Sequence, residues 1–130
     1  MNLLLDTHIW LWALEQNRRL ALVVRKQLEN PRNRLFVSPV SVWEAGNLHK
    51  HGRIKSGAFH EWLDESLEAL AVVEAPFTVA IAREASRLRL PQPDFGDIML
   101  AATALVEGLV LVTVDQQLLD CKWLRTLANG

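Results

Sequence analysis

The sequence predicts an α/β protein, a three-layer α/β/α sandwich around a central, mainly parallel sheet. Two observations carry that reading. Apolar runs of three to six residues alternate along the chain with longer segments at helical spacing. Turn and cap signals then fall at the junctions: Asn17, Asn30-Pro31, Ser38-Pro39, Gly52, Pro76, Pro91-Gln92-Pro93 and Gly108. At 130 residues, half of them apolar, the chain fits one domain spanning 1–130 with a core that needs no staples. It carries no repeat, no low-complexity segment and no linker.

Each element has a local reason. Asn2–Leu5 is an apolar run ending in Asp6, which reads as a buried strand. Ile9, Trp10, Trp12, Ala13 and Leu14 recur at helical spacing until Asn17. Leu20, Val23, Val24, Gln27 and Leu28 share one face of a second helix, closed by Asn30-Pro31. Leu35–Val37 is the second strand. Ser38-Pro39 is an N-cap followed by proline at the first helical position, opening a helix that runs to about Lys50. Ala58–Ala69 is the next helix and Leu70–Val73 the third strand. Thr78 caps a helix carrying Val79, Ala82, Ala85, Ser86 and Leu88. Asp97–Val106 is apolar on almost every side, as a buried helix must be. Leu109–Val114 is the most hydrophobic strand. Asp115–Leu118 makes one helical turn, and Trp123–Leu127 is a last edge strand.

Composition narrows the class. The single cysteine, Cys121, excludes an internal disulfide and a cysteine zinc site, and fits a reducing, cytoplasmic setting. Met1–Leu5 runs directly into Asp6 and His8, unlike a signal peptide. No apolar run approaches the roughly 20 residues of a membrane helix, so no membrane partner is expected. Net charge is −1, but residues 1–60 hold nine Lys/Arg against four Asp/Glu, while residues 61–130 hold five against eleven. A basic half can meet phosphates, though solvated helix faces explain the same asymmetry.

The chemistry-bearing pattern is acidic. Asp6, Glu44, Asp97 and Asp115 each follow an apolar run or lie one turn into the helix after it. On parallel strands they would meet at the carboxyl edge of the sheet, where ligands bind in such folds. Like charges held close repel, so such a cluster needs a cation. Oxygen-only donors suit a hard ion, Mg²⁺ or Mn²⁺. Each acid also has a capping explanation: Asp6 and Asp115 precede helices, Asp94-x-x-Asp97 is a helix-entry pair, and Ser41-x-x-Glu44 matches a capping box. Glu44 resists this best, because Ser38-Pro39 is the better helix start and Glu44 falls on a stripe with Val40 and Leu48.

Hydroxyls accompany the acids: Thr7, Ser38 and Thr113 could hold water or a phosphate oxygen, or simply suit strands and caps. Lys50, His51, Arg53 and Lys55 follow the Glu44 helix and either flank a substrate groove or form a solvated turn. His49 and His51 diverge on a helix, and His60-Glu61 lacks the second histidine of a zinc-protease helix. Phosphate-loop and dinucleotide glycine patterns are absent, as is a nucleophile elbow.

Four stretches, LLLDTHIWLWAL, VSPVSVWEAGNLHKHGRI, DFGDIMLAATAL and LVLVTVD, together resemble the PIN-domain ribonucleases, and among them the VapC-type toxins of bacterial toxin–antitoxin pairs. They stand in family order and span nearly the whole chain. The resemblance implies that Asp6, Glu44, Asp97 and Asp115 form the acidic metal site, with Asp94 as an outer acid. It also implies an RNA substrate, an antitoxin protein partner and a homodimer. The family often has a bulky residue where Gly96 stands, and often aliphatic residues at Gly46 and Asn47. On the sequence alone neither departure touches an acid. The expected reaction is hydrolysis of an RNA phosphodiester by metal-activated water, leaving 5′-phosphate and 3′-hydroxyl ends. Single-stranded loops would reach a recessed site best. A response-regulator receiver would need a lysine directly after its last strand, and Val114-Asp115 follow Thr113 instead. A haloacid-dehalogenase-type phosphatase would need a second Asp two residues after Asp6, where His8 stands. The rival from another class is a non-catalytic PIN-like scaffold that binds protein or RNA.

Overall fold

Leu3, Leu4 and Leu5 are wholly buried, the state of a strand covered on both faces. The computed structural model describes residues 1–130 throughout. The strands are β1 (Asn2–Leu5), β2 (Arg34–Val37), β3 (Val73–Glu74), β4 (Val110–Thr113) and β5 (Thr126–Ala128). The helices are α1 (Thr7–Glu15), α2 (Leu22–Glu29), α3 (Pro39–Lys50), α4 (Phe59–Ala69), α5 (Val79–Ala85), α6 (Phe95–Glu107) and α7 (Gln116–Leu119). All five strands pair in parallel in the order β3-β2-β1-β4-β5. The expected α/β/α sandwich with a parallel sheet is the observed one.

Alternation along the strands divides the core into two layers. Leu3, Leu5, Leu35, Val37, Val110 and Val112 face Ile9, Trp10, Val24 and Ala45, with Trp62 and Leu63 packed behind, so α1 to α4 cover one face. Leu4 and Leu111 face Leu100, Ala101, Ala104 and Leu118, so α6 and α7 cover the other. Ile81 and Ala85 of α5 pack on Ala102 of α6. Register is set by Leu3 opposite both Leu35 and Val110. A one-residue slip would exchange the two faces and is therefore strongly disfavoured.

Element boundaries differ from the sequence reading in a few places, each for a local reason. β3 is Val73–Glu74 rather than Leu70–Val73. Leu70 caps α4 and Ala71 turns left-handed at φ 50°, so residues 70 to 72 are spent closing the helix through bonds back to Leu67 and Glu68. α2 begins at Leu22, not Leu20, because Leu20 N–H bonds back to Asn17 in the preceding turn. α5 ends at Ala85, with Leu88 beyond it. α6 begins at Phe95, capped by Asp94, so Asp97 lies in the first turn instead of opening the helix. The last strand is shifted to Thr126–Ala128. No helix is long and apolar enough to cross a membrane.

Candidate metal centre

β1 sits at the centre of the sheet with β2 and β4 on either side. After β1 the chain enters α1 on one face, and after β4 it enters α7 on the other. That divergence makes the β1/β4 carboxyl edge the topological switch point, where a crevice opens. Asp6 follows β1 and Asp115 follows β4, so the two flank it.

Asp6 is 6% exposed. Its backbone carbonyl starts α1 by accepting from Trp10 N–H, but its carboxylate makes no capping bond. Instead Asp6 Oδ2 accepts from Thr113 Oγ1 at 2.7 Å. Thr113 Oγ1, fully buried, itself accepts from Asp115 N–H at 3.0 Å. One hydroxyl thus ties the Asp115 backbone to the Asp6 side chain. Burial pushes the Asp6 carboxyl above its ordinary pKa, against the opposing pull of the Thr113 bond and the His8 charge.

Glu44 lies in the second turn of α3 and is half-buried. Thr7 Oγ1 stands 2.6 Å from Glu44 Oε1 and 2.8 Å from Ser41 Oγ. A hydroxyl carries one proton, so Thr7 donates it to the carboxylate and Ser41 donates in turn to Thr7. Burial raises the Glu44 pKa, and the charges of Asp6 and Asp94 add to it, while Thr7 lowers it. Ser38 caps α3 by accepting from Val40 N–H at 3.0 Å, and Ser41 is buried inside the helix. The Ser41-x-x-Glu44 capping box is therefore absent.

Asp97 lies beside Asp115. The Asp97 carboxyl is raised to about 7 by burial, by a hydrogen bond with the Asp115 carboxyl, and by the charges of Asp115, Asp94 and Asp6. Like charges held this close repel, which disfavours the charged form of Asp97. Capping explains part of the rest. Asp115 Oδ1 accepts from Gln117 N–H at 2.9 Å and starts α7. Asp94 Oδ2 accepts from Asp97 N–H at 3.2 Å and starts α6. Asp94 is exposed, an outer acid at this edge.

The donor set is carboxylate and hydroxyl oxygen, which matches a hard divalent cation. The spacing is not yet that of a closed ligand shell. No three of these side chains converge closely enough to ligate one ion.

Gly96 corrects the sequence reading, which kept it clear of the acids. A Cβ on Gly96 would lie 2.7 Å from Glu44 Oε2. Gly46 is clear of them, with Phe59 at 3.6 Å.

The basic residues are not gathered with the acids. Arg53 and Lys55 line a hollow of about 360 Å³ with Leu14, Glu15 and Trp62, at the far end of α1. A nine-residue helix puts that end about 13 Å from Asp6. Lys50 closes α3 beside Asn47, His49 and His60 in another hollow. Nearer the acids lies an apolar hollow of about 490 Å³, lined by Pro39, Val40, Trp43, Phe77 and Phe95. Trp43 is 63% exposed, Phe95 57% and Phe77 50%. Sequence reasoning did not single out the two phenylalanines. The available signal was Phe95, a large apolar side chain set between Asp94 and Asp97 in a helix's first turn.

The PIN domain family model matches residues 3–124. The chain belongs to the PIN domain family. The match takes in all four acids, β1 from Leu3 onward, and β2, β3 and β4 whole. Among solved structures, the chain is similar to VapBC2 from Rickettsia felis bound to a DNA fragment from their promoter, at TM-score 0.71 and 17% identity over all of both chains. DNA-bound VapBC from Salmonella typhimurium aligns at TM-score 0.68 and 17% identity, over 100% of this chain and 99% of that one. VapBC-1 from nontypeable Haemophilus influenzae aligns at 0.66 and 18%, over 98% of each. At such identities the likeness is one of fold. No curated protein sequence matches the chain.

Proposed function

We propose that this PIN-domain chain is a Mg²⁺- or Mn²⁺-dependent endoribonuclease of the VapC type, the toxin of a toxin–antitoxin pair. The observation that carries the reading is the meeting of acids at the β1/β4 switch point, where Thr113 ties buried Asp6 to the Asp115 backbone and Thr7 holds Glu44. Asp6, Glu44, Asp97 and Asp115 would hold the ion, with Asp94 outside them. When bound, a divalent cation polarises a phosphoryl oxygen and makes water a nucleophile at neutral pH. The chain's own residues set the stage. Thr113 fixes Asp6, Thr7 fixes Glu44, and the α7 cap fixes Asp115. Asp97, whose charged form is disfavoured by burial and by Asp115, would be relieved by a cation held at this edge.

Partners follow from fold likeness to proteins solved as VapBC complexes. An antitoxin protein would cover the site, and a second copy of this chain would cover exposed Trp43, Phe77, Val79 and Phe95. Lys50 stands at the end of the Glu44 helix, where it would meet RNA. Arg53 and Lys55 would touch RNA flanking the scissile bond, because they lie a helix length from Asp6.

One observation favours a second reading, a non-catalytic scaffold: no three acids yet stand at ligand spacing. A single experiment separates the two. The purified chain is incubated with a pool of structured RNA in Mn²⁺ or in EDTA. The nuclease cleaves in Mn²⁺ alone and leaves 5′-phosphate ends. An RNA pool left intact with Mn²⁺ bound would point to a narrow target, and an intact pool with no Mn²⁺ bound would establish the scaffold.

A further inference from the structure

The structure gives Glu44 a seat whose floor is a missing side chain. Its carboxylate lies against α6 at Gly96, with Thr7 of α1 bonded to Oε1 from one side. The three heavy atoms nearest to a Cβ on Gly96 would all be Glu44's: Oε2 at 2.7 Å, and Cδ and Oε1 at 3.1 Å. Real Cβ atoms do not approach to 2.7 Å, so one of the two groups would have to move.

Nothing else in the structure asks for glycine here. Gly96 is not among the residues with positive φ, so its backbone suits any residue. It sits in the first turn of α6, where alanine is the better helix former. It is buried, so a methyl group would not meet solvent. The close approach of the carboxylate is the contact that a side chain would spoil first.

We infer that Gly96 is a positioning residue: its bare backbone makes the niche that aims the Glu44 carboxylate at the acidic site. The inference rests on the metal-site reading above. The displaced group in any larger variant would be the end of a flexible side chain, so the fold can absorb the change by letting Glu44 swing away. Swinging away breaks the 2.6 Å bond to Thr7 and removes one oxygen donor from the site.

The test is Gly96→Ala, alone and combined with Glu44→Ala, followed by Mn²⁺ titration with free Mn²⁺ read by electron paramagnetic resonance, and by melting in EDTA. Gly96→Ala is expected to weaken Mn²⁺ binding about tenfold, at the low end for residues that orient a ligand. Its melting temperature in EDTA should not fall. In the Glu44→Ala background Gly96→Ala should add no further loss, because the group it displaces is gone. Wild-type affinity in Gly96→Ala, when Glu44→Ala alone binds weakly, would overturn the inference. So would an equal loss in both backgrounds, or a Gly96→Ala chain that fails to fold, since each places the effect outside Glu44. Wild-type affinity in Glu44→Ala itself would instead remove Glu44 from the metal site, and the niche with it.

Discussion

Replacing Asp97 with asparagine should stabilise the metal-free protein, and only where Asp97 would be charged. The folded environment raises its carboxyl from 3.8 to about 7. A folded pKa above the unfolded one means that the group's contribution to stability is whole below about pH 4. It is lost as pH climbs through 7. Each pKa unit is worth about 1.4 kcal/mol, so the full shift corresponds to roughly 4 kcal/mol. Asp97 is only half-buried, and screening by solvent cuts that to about 2 kcal/mol. Asparagine mimics the protonated acid and can donate its amide hydrogen to Asp115. In EDTA, Asp97→Asn should therefore melt close to wild type at pH 4 and roughly 7 °C above it at pH 8, by the entropy scaling for a chain of this size. Asp6 and Glu44 are raised in the same direction, so both proteins should lose stability as pH rises. The difference between the two curves isolates Asp97. An advantage equal at pH 4 and pH 8, or a variant that melts lower at pH 8, would refute the account of Asp97 as a carboxyl raised by its surroundings.

Further outcomes follow from the same geometry. Mg²⁺ or Mn²⁺ at 100 times its dissociation constant should add about 2.7 kcal/mol, roughly 10 °C in melting temperature at pH 8; calorimetry that finds no shift at millimolar metal counts against the site. Asp6→Asn should abolish RNA cleavage in a gel assay while its circular dichroism spectrum stays that of wild type. Thr113→Val leaves buried Asp6 and the Asp115 N–H without their shared partner, and denaturant titration should show a loss of about 1–3 kcal/mol. Trp43→Glu, at an exposed position, should change stability by less than about 0.5 kcal/mol yet shift the chain toward monomer in sedimentation.

Much of this was legible in sequence because the signals were local. Parallel strands buried on both faces read as short unbroken apolar runs, and Asn2–Leu5 and Leu109–Val114 could hardly be anything else. Ser38-Pro39 and Thr78 announced their helices because a cap is a contact between residues two or three apart. β3 was misjudged because apolar Leu70 to Val72 look like a strand, while closing α4 required them as a turn. The caps also divided the acids. Asp94 and Asp115 do cap helices, as their positions allowed, whereas Asp6 and Glu44 spend their oxygens on Thr113 and Thr7. Those partners lie 107 and 37 residues away, so no local pattern could reveal them. The same holds for Gly96, whose role depends on a carboxylate from another helix. The basic run after α3 fits a substrate groove or a solvated turn on sequence alone. It adjoins the Glu44 helix in sequence, but that helix carries it to the far end of α1.

The most direct measurement is a crystal structure of the chain grown with Mn²⁺, with anomalous scattering used to place the metal. The account predicts a peak at the β1/β4 carboxyl edge, bound by oxygens of Asp6 and Asp97 and within reach of Glu44 and Asp115, with the Asp97–Asp115 hydrogen bond broken. A map with no peak at that edge in millimolar Mn²⁺ would contradict it.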